Sequence, residues 1–255
     1  MITITGHEGR VGNILFHRLI EEGYEVEGTE DVDTYDFSKS DTIIHCAALV
    51  SVEESWRSPE RYLDTNYGLT KDIRESTDAH IVLLSTAAVY SSSKKPKKET
   101  DRLLGNSPYA KSKILAEQCL NSTDTILRLG NVAGFSKGDG LIPNLVNHHL
   151  CDAAFTICSD IEGTGIRDYI HVVEVCDAIV ALLESNTRGV YNIGRGEGRS
   201  VGDVISAFDT IYNVTTYGKI ERQKSTYSIL DISKIKSVWE PQLSFEETIS
   251  LVVDL

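Results

Sequence analysis

The sequence predicts an α/β protein built on a doubly wound parallel sheet, with a small C-terminal α/β lobe. A short β-branched strand at residues 2–5 is followed at once by a glycine-rich turn and an amphipathic helix at 11–22, which is how a parallel α/β sheet begins. The run His80–Leu84 is apolar without alternation, as expected of a strand covered on both faces. Strand and helix patterns alternate up to about residue 130 and are less regular after it.

Composition limits the classes of function. The chain has 255 residues, 41% of them hydrophobic and 25% charged, as in globular proteins with a large core. Its net charge of −13 argues against nucleic acid or an anionic membrane as a partner. Five cysteines without C-x-x-C spacing predict buried, reduced thiols, and the sequence shows no secretory or membrane-spanning pattern. We therefore expect a cytoplasmic protein without a metal site.

The first strand leads into a turn with three evenly spaced glycines, Gly6, Gly9 and Gly12. Glycine lets the backbone turn tightly and approach a pyrophosphate, and the following helix N-terminus offers free N–H groups and positive potential. The spacing differs from Gly-x-Gly-x-x-Gly, so a purely structural turn is the alternative. Because strand, turn and helix follow in this order, we interpret the turn, with Arg10 and Val11, as a dinucleotide-binding loop.

An acidic pair follows the second strand, which the pattern places at Tyr24–Gly28. Glu30 at this position would accept hydrogen bonds from the ribose hydroxyls of NAD and would repel the 2′-phosphate of NADP. No arginine follows it immediately, which also favours NAD over NADP. The alternative is that Glu30 and Asp31 are ordinary loop carboxylates.

The connection to the third strand is short. Segment 32–41 cannot hold a helix and a further strand, because a β-α-β crossover needs about 10–12 residues or more. We expect a turn at Asp36–Phe37 that contacts an adenine ring. The strand Thr42–Cys46 follows, and Ala47 and Ala48 after it are small enough for a ligand to approach closely.

A tyrosine and a lysine lie four residues apart on a helix predicted at 110–120. Ser107 can cap this helix and Pro108 suits its first turn, so Tyr109 and Lys113 share one face. An ammonium group near a phenol favours the phenolate and lowers the pKa of the tyrosine. Tyr109 would then act as a base near neutral pH, although this spacing also occurs by chance on surface helices.

Less regular elements fill the rest of the chain. We predict helices at 58–77, 141–150, 172–185 and 200–212, and others that begin at 231 and 244. We predict strands at 125–129, 155–157, 190–193 and 215–222. From these elements, residues 1–130 plus about 168–193 form a Rossmann-type domain, and residues 131–167 with 194–255 form a small substrate lobe.

Motifs of one known family recur along the chain in a fixed order. They are Thr5-Gly-x-x-Gly-x-x-Gly12, His45-Cys-Ala-Ala48, Asn66, Ser85-Thr86-x-x-Val-Tyr90, Tyr109-x-x-x-Lys113, Arg128-x-x-Asn131, Arg167-Asp-Tyr-Ile-His-Val172, Tyr191-Asn-Ile-Gly194, Asp231-x-Ser-Lys234 and Trp239-x-Pro241. Each is weak alone. Their order and spacing over nearly the whole chain resemble the extended short-chain dehydrogenase/reductase family, in its nucleotide-sugar epimerase/dehydratase branch.

The resemblance implies how the central residues would act. Thr86 would hydrogen-bond the reacting sugar hydroxyl, and Tyr109 would take the proton of that hydroxyl while a hydride leaves the same carbon for NAD. Lys113 would bind the nicotinamide ribose and stabilise the phenolate together with the cationic ring.

The resemblance also assigns residues around this centre. Asn66 joins the cofactor-binding residues, and Asn131 and Arg167 would meet the diphosphate of a nucleotide sugar. Arg222 would supply a second phosphate-binding guanidinium, with a solvent-exposed charge as the alternative. For Arg128 the alternative is a buried structural partner, and we assign it no site role.

Departures from the family pattern narrow the expected reaction. Ala87 and Ala88 stand where dehydratases and decarboxylases carry acidic residues, so dehydration is disfavoured. Val50 stands where many epimerases have a cofactor-contacting lysine, and Ser91 replaces a glycine. The short connection after Glu30 resembles reductases of 4-keto sugars.

We therefore expect an NAD-dependent epimerase of a nucleotide-linked hexose, UDP-linked, that works through a transient 4-keto sugar. The first alternative is a net redox enzyme, either a 4-keto-sugar reductase or a sugar dehydrogenase. The second alternative is a cofactor-binding module without chemistry. The resemblance also implies a homodimer through the helices near 60–77 and 108–120.

Overall fold

The computed structural model describes residues 1–134, 140–151, 156–159, 165–213, 219–222 and 226–252, with the backbone alone at 156–159 and 219–222. The strands are β1 (Ile2–Thr5), β2 (Val26–Thr29), β3 (Thr42–His45), β4 (His80–Thr86), β5 (Thr125–Leu129), β6 (Asn131–Ala133), β7 (Thr156–Ser159), β8 (Ile166–Arg167), β9 (Tyr169–His171), β10 (Gly189–Ile193), β11 (Arg199–Ser200), β12 (Lys219–Arg222) and β13 (Tyr227–Ser228). The helices are α1 (Arg10–Glu21), α2 (Val52–Arg57), α3 (Pro59–Leu63), α4 (Leu69–Ser76), α5 (Pro108–Gln118), α6 (Leu141–Cys151), α7 (Val172–Glu184), α8 (Val201–Tyr212) and α9 (Phe245–Ser250).

The central sheet has six parallel strands in the order β10-β5-β4-β3-β1-β2. Strand β3 pairs with β1 on the side opposite β2, with Ile44 beside Ile4. Only a short 3-10 turn at Phe37–Lys39 lies between β2 and β3, which confirms that segment 32–41 holds no further helix and strand. Ligands of such sheets bind where the strand order reverses, here at the carboxyl ends of β1 and β3.

Both faces of the sheet are covered. Ile44 packs in a cluster with Leu15 of α1 and Ile179 of α7, whereas its neighbour Ile43 packs with Ile73 of α4. Successive side chains of a strand point to opposite faces, so these two clusters lie on the two sides of the sheet. The predicted fold class, a doubly wound Rossmann-type sheet, is confirmed.

The helix predicted at 58–77 differs from the structure in two details. Helices α3 and α4 are joined by a π turn at Asp64–Gly68, and the separate helix α2 precedes them with the Ser51 hydroxyl as its cap. Asn66 lies in the π turn and is 1% exposed. Turns of this type add one residue to a helix and often mark functional positions.

A second group of elements follows β5. Strand β6 pairs with β9, β7 with β12, and β8 with both β11 and β13. Helices α6, α8 and α9 share a separate apolar cluster that contains Leu145, Phe208 and Ile249. The capping box Ser200–Asp203 is present, but the helix predicted from 231 is only a 3-10 turn at Ile235–Ser237. No helix in the described ranges is long and apolar enough to cross a bilayer.

Arg128 of β5 is a buried structural residue. Its guanidinium pairs with Glu117 of α5, with 2.7 Å between Nη2 and Oε2, and donates to the Tyr90 hydroxyl and the Glu99 carbonyl oxygen. Both charged side chains of the ion pair are almost completely buried. This arrangement fastens α5 to the sheet and supports the structural alternative for Arg128.

Candidate active site

The glycine-rich turn between β1 and α1 is packed too tightly for larger residues. A Cβ atom on Gly12 would lie 2.1 Å from the Gly6 carbonyl oxygen, and one on Gly6 would lie 2.7 Å from the Ala47 nitrogen. Gly6 also has a φ of +66°, a conformation that favours glycine. Gly9 begins α1 without a side-chain cap. The turn, the helix N-terminus and the end of β3 thus form one open surface at the edge of the sheet.

Glu30 directly follows β2, and its side chain lies beside the glycine-rich turn. Its Oε1 accepts a hydrogen bond from the Glu8 N–H at 2.8 Å and lies 3.2 Å from His7 Nδ1. The carboxylate is about half exposed, so it remains open to a further donor. The structure therefore places Glu30 beside the glycine turn, as its predicted contact with a ribose requires.

Asp36 and Phe37 lie just beyond Glu30, but their side chains point in different directions. The exposed Asp36 caps the 3-10 turn by accepting a hydrogen bond from the Ser38 N–H at 3.0 Å. Phe37 is 4% exposed and packs in the cluster with Ile43 and Ile73. The Phe37 ring is therefore occupied by core residues, and an adenine ring could meet only the backbone and the exposed Asp36 side chain here.

Asn66 makes its contacts with the protein itself. Its Oδ1 accepts from the Leu49 N–H at 2.8 Å, and its Nδ2 donates to the Leu49 carbonyl oxygen and to Ser112 Oγ, each at 3.0 Å. These bonds tie the loop after β3 to helix α5. Asn66 thus positions the loop that follows Ala47 and Ala48, a role that the resemblance did not specify.

Thr86, Tyr109 and Lys113 meet at the carboxyl end of β4. Ser107 caps α5 by accepting from the Ala110 N–H at 3.1 Å, and Pro108 occupies the first turn, as predicted. The Tyr109 hydroxyl lies near Thr86, the last residue of β4, and the tyrosine is 8% exposed. Lys113, one turn further along α5, is 2% exposed.

Burial dominates the acid–base properties of this group. It raises the pKa of Tyr109, and the Thr86 hydroxyl only partly opposes this. It also lowers the pKa of Lys113 to about 8, although Glu117 and Cys46 act in the opposite direction. In the polypeptide by itself the pKa of Tyr109 is therefore raised and not lowered as predicted, because desolvation of the phenol outweighs the effect of the Thr86 hydroxyl.

A cleft of about 580 Å³ opens in front of Tyr109. Thr86, Asn131 and Arg167 line it together, so the structure brings these predicted substrate-binding residues to one place. The Arg167 guanidinium is held by Thr226: its Nη1 donates to the Thr226 carbonyl oxygen at 2.8 Å and its Nη2 to Thr226 Oγ1 at 2.6 Å. The side chain of Arg222 lies outside the described part of the chain.

A family model supports this reading of the site. Residues 2–194 match the model described as the NAD dependent epimerase/dehydratase family. The chain belongs to this family. The matched range contains the glycine turn, the Thr86–Tyr109–Lys113 group, Asn131 and Arg167.

Three curated relatives of this epimerase/dehydratase family member are named UDP-glucose 4-epimerase. The chain is 34% identical over 207 residues to UDP-glucose 4-epimerase 2 of Oryza sativa subsp. japonica, with 68% of this chain and 51% of the relative covered. It is 34% identical over 203 residues to UDP-glucose 4-epimerase of Lacticaseibacillus casei, with 66% and 60% covered. It is 30% identical over 241 residues to that of Lactobacillus helveticus, with 80% and 73% covered. The chain thus spans between half and two thirds of the length of the first two relatives.

Solved structures show the same fold. MoeE5 in complex with UDP-glucuronic acid and NAD has a TM-score of 0.92 at 23% identity, with 99% of this chain and 97% of that chain covered. UDP-glucose 4-epimerase of Thermotoga maritima with UDP-glucose has a TM-score of 0.87 at 26% identity, with 99% and 97% covered. Nearly all of the family fold is therefore present in this chain.

Several residues that shape the site were missed by sequence reasoning. Asp168 is fully buried and accepts hydrogen bonds from the backbone N–H groups of Arg195 and Gly196, at 2.8 and 3.0 Å. Burial raises the pKa of its carboxyl to about 6. Its position between Arg167 and Tyr169 in a family motif was the available signal. Lys97 and the segment 226–229 also line the cleft, and no local pattern marks them.

Proposed function

We propose that this protein is an NAD-dependent 4-epimerase of a nucleotide-linked hexose, with UDP-linked sugars as its substrate class. One observation carries the proposal: Thr86 at the end of β4 and Tyr109 of α5 lie together in the cleft, and the buried Lys113 follows Tyr109 by one turn of α5, beside His45 at the end of β3. The curated relatives named UDP-glucose 4-epimerase support the same activity.

The residues around the glycine turn fit NAD. A Cβ atom on Gly6 or Gly12 would collide with backbone atoms of Ala47 or of the turn itself, so the tight turn that brings the N-terminus of α1 beside the end of β3 requires glycine. The uncapped N-terminus of α1 would bind the pyrophosphate, and Glu30 would accept hydrogen bonds from the adenosine ribose. We assign Arg10 and Val11 to the same loop, Ala47 and Ala48 to the opposite wall, and Asp36 and Phe37 to the adenine end through their backbone. When bound, NAD accepts a hydride from the sugar and returns it.

Tyr109 takes and returns the proton in this proposal. Its phenolate would accept the proton of the C4 hydroxyl, with Thr86 hydrogen-bonded to the same oxygen, while the C4 hydrogen leaves as a hydride. The 4-keto sugar turns over in the cleft, and the reverse transfer to its other face completes the epimerisation. Because burial raises the pKa of Tyr109, its deprotonation depends on positive charge, and Lys113 supplies the part that the protein contributes.

The remaining polar residues of the cleft would hold the nucleotide part of the substrate. Arg167 is pre-positioned by Thr226 and suits bidentate contacts with a diphosphate, with Asn131 beside it. We assign Arg222 to the second phosphate contact. We also propose a division into a Rossmann-type domain (1–130 and 168–193) and a substrate lobe (131–167 and 194–255). The two apolar clusters match it only in part, because Leu230, Ile232 and Ile235 pack in the cluster of the central sheet and Tyr169 packs with α6, α8 and α9.

A net redox reaction is the second candidate function. The observation that favours it is the direct connection of β2 to β3, which resembles reductases of 4-keto sugars. A binding module without chemistry is disfavoured by the intact Thr86, Tyr109 and Lys113 group.

One assay separates these candidates. Purified protein is supplied with UDP-galactose and no added cofactor, and the sugar nucleotides and NADH are followed over time. Formation of UDP-glucose without net NADH formation supports the epimerase. A stoichiometric requirement for NAD or NADPH contradicts it and favours the redox enzyme. Mass spectrometry of small molecules released by denaturation identifies the bound cofactor.

We also propose that the protein is a cytoplasmic homodimer. Four cysteines of the described chain are free thiols, which suits a reducing compartment. Trp56 is 62% exposed, and Leu63 and Leu115 are also exposed, on the same group of helices α2, α3 and α5. Light scattering after size-exclusion chromatography would detect a dimer of twice 28.2 kDa, and a monomer would contradict this assignment.

A further inference from the structure

One lysine of the basic run Lys94–Lys98 points into the cleft. The Lys97 side chain is half-buried, lines the cleft, and donates from Nζ to Ser91 Oγ at 3.3 Å. Its neighbours point elsewhere: Lys94 Nζ lies over the Tyr227 ring, and Lys98 Nζ lies 4.0 Å from Asp231 Oδ2. Of these three lysines, Lys97 is therefore the one that lines the cleft.

The backbone fixes where Lys97 stands. Its N–H donates to the Ile229 carbonyl oxygen at 2.9 Å, and its carbonyl oxygen accepts from the Asp231 N–H at 2.7 Å. The Asn192 side chain donates to the same oxygen at 2.8 Å. The position is thus set by strand-like pairing, whereas the side chain is anchored by one hydroxyl group alone.

Among the residues that the structure describes, no carboxylate is paired with the Lys97 ammonium at this end of the cleft. The charged residues among the described cleft-lining side chains are Glu53, Lys97 and Arg167. Glu53 is already paired with Arg57, at 2.5 Å between Oε1 and Nη2. Within the described chain Lys97 has no carboxylate partner, although the whole chain carries a net charge of −13. A half-buried ammonium without a partner favours an anionic ligand.

This anion is distinct from the diphosphate. Arg167 is held at Thr226, whereas Lys97 is held at Ile229, three residues further along the same extended segment. At about 3.3 Å per residue, the two anchor points are about 10 Å apart. Lys97 instead contacts Ser91, which follows the Thr86 strand end by five residues. Lys97 and Ser91 line the same cleft as Thr86 and Tyr109, which hold the reacting C4 group in the proposed function.

We propose that Lys97 and the Ser91 hydroxyl bind a carboxylate at C6 of the sugar, so that the preferred substrate is a nucleotide-linked hexuronate. This inference rests on the proposed 4-epimerase function. C6 is attached to C5, the ring neighbour of C4, so a C6 carboxylate lies close to the group held by Thr86 and Tyr109. An ammonium with a hydroxyl beside it provides two donors for such a carboxylate.

The first test compares matched substrates. Initial rates are measured with UDP-glucuronate and with UDP-glucose, for the wild-type protein, Lys97→Met and the control Lys98→Met. We expect kcat/KM to favour the uronate, and Lys97→Met to lower the uronate-to-glucose ratio by about tenfold or more, as for loss of a charge-assisted hydrogen bond. Lys98→Met should leave the ratio unchanged. The methionine variant keeps the backbone pairing of residue 97, so its fold should be retained.

The second test measures binding without turnover. Calorimetric titrations of UDP-glucuronate and UDP-glucose into Tyr109→Phe, with and without Lys97→Met, should show a preference for the uronate that disappears with Lys97. If both ligands weaken alike in Lys97→Met, or if the wild-type ratio does not favour the uronate, the carboxylate site is wrong and the epimerase proposal still stands. If neither sugar is epimerised, the epimerase proposal fails, and the titration still decides the carboxylate site.

Discussion

Burial gives Tyr109 and Lys113 properties that their spacing does not reveal. The interior disfavours the charged form of each group, which raises the pKa of the phenol and lowers the pKa of the ammonium to about 8. The same burial keeps His45, whose pKa falls to about 3, neutral beside Lys113. Lys113 is consequently the group of this site whose charge changes just above neutral pH.

We predict that the stability of the protein rises between pH 8 and pH 10 because of Lys113. In that range the unfolded chain, with an ordinary lysine pKa near 10.5, binds more protons at this site than the folded chain, so raising the pH favours folding. Urea unfolding at pH 7.5, 8.5 and 9.5 checks this against Lys113→Met. The stability of the wild type relative to the variant should increase with pH, and a flat difference would contradict the lowered pKa.

Replacing Tyr109 by Phe tests the proposed proton acceptor. We expect kcat for epimerisation to fall by about 10²–10⁴-fold, the usual contribution of a general acid–base group. The matched control is Tyr62→Phe, because the Tyr62 ring packs edge-on against Tyr109 at 6.3 Å but its hydroxyl faces Glu54. Steady-state kinetics on both variants measures the fall in kcat. Unchanged turnover in Tyr109→Phe would remove the catalytic assignment.

At the scale of single residues, the sequence predicted which side chains of the site lie together. It did not predict their pKa values. Thr86, Tyr109, Lys113 and the glycine turn are found together because short motifs fix local geometry. Their pKa values depend on how much protein surrounds them, and that includes residues as distant in sequence as Tyr62. The spacing of residues along the sequence does not reveal such packing.

At the scale of elements, Asn66 connects three parts of the site. Its carboxamide joins the π turn between α3 and α4 to the loop after β3 and to Ser112 of α5. We predict that Asn66→Ala lowers the free energy of unfolding by about 2–4 kcal/mol, because it leaves buried donors and acceptors without partners. Urea denaturation measures this loss.

The control for Asn66 is Ser112→Ala. It removes one of the three hydrogen bonds of the carboxamide and should cost about 1 kcal/mol. Asn66→Ala should also raise the dissociation constant for NAD more than Ser112→Ala does, because it frees the Leu49 backbone. Equal effects of the two variants would show that the Leu49 contacts contribute nothing.

Elements with clear caps and periodicity were predicted well, and the irregular ones were not. α1, α5, α7 and α8 lie within a few residues of their predicted bounds. Helix α2 and the π turn were missed, because an extra residue in a helix changes no hydrophobic period that a short window can detect. The π turn contains the buried Asn66, whose hydrogen bonds hold the loop after β3, so the missed detail lies next to the candidate site.

At the scale of the whole molecule, Asp168 fastens the small sheets to the central one. Its carboxylate accepts from Arg195 and Gly196 after β10, and from the Leu230 N–H at 3.3 Å. A Cβ atom on Gly194 would lie 2.8 Å from Asp168 Oδ2, so the loop after β10 needs glycine there. One buried side chain thus sets the distance between the predicted domain and lobe.

We predict that Asp168 makes the stability depend on pH below neutrality. Because burial raises its pKa from 3.8 to about 6, the folded state binds more protons at this site between those values, and stability at this site falls as pH rises from 4 to 6. Asp168→Asn should remove this slope and should also destabilise the fold, since its amide cannot accept all three N–H groups. Thermal unfolding at pH 4.5, 5.5 and 6.5 measures both effects. An unchanged slope would contradict the raised pKa.

The architecture was predicted more completely in its first half than in its second. Strands and helices alternate up to β5 except between β2 and β3, which leaves few possible topologies, and the short segment 32–41 excluded one more strand. The two-residue strands β8, β11 and β13 are stabilised by contacts between distant segments, so no local sequence pattern predicts them. Lys97 lies in the cleft for the same reason, since its neighbours are Ile229 and Asp231.

The last strand of the central sheet has a consequence for biosynthesis. Strand β5 ends at Leu129, but its outer neighbour β10 spans Gly189–Ile193, so 64 residues must be added before that edge can be covered. At the usual pace of translation this delay lasts about 3–13 s. An uncovered strand edge readily pairs with other chains. The nascent polypeptide therefore passes through an interval in which its largest structural unit is open to aggregation, and molecular chaperones would be most useful to it then.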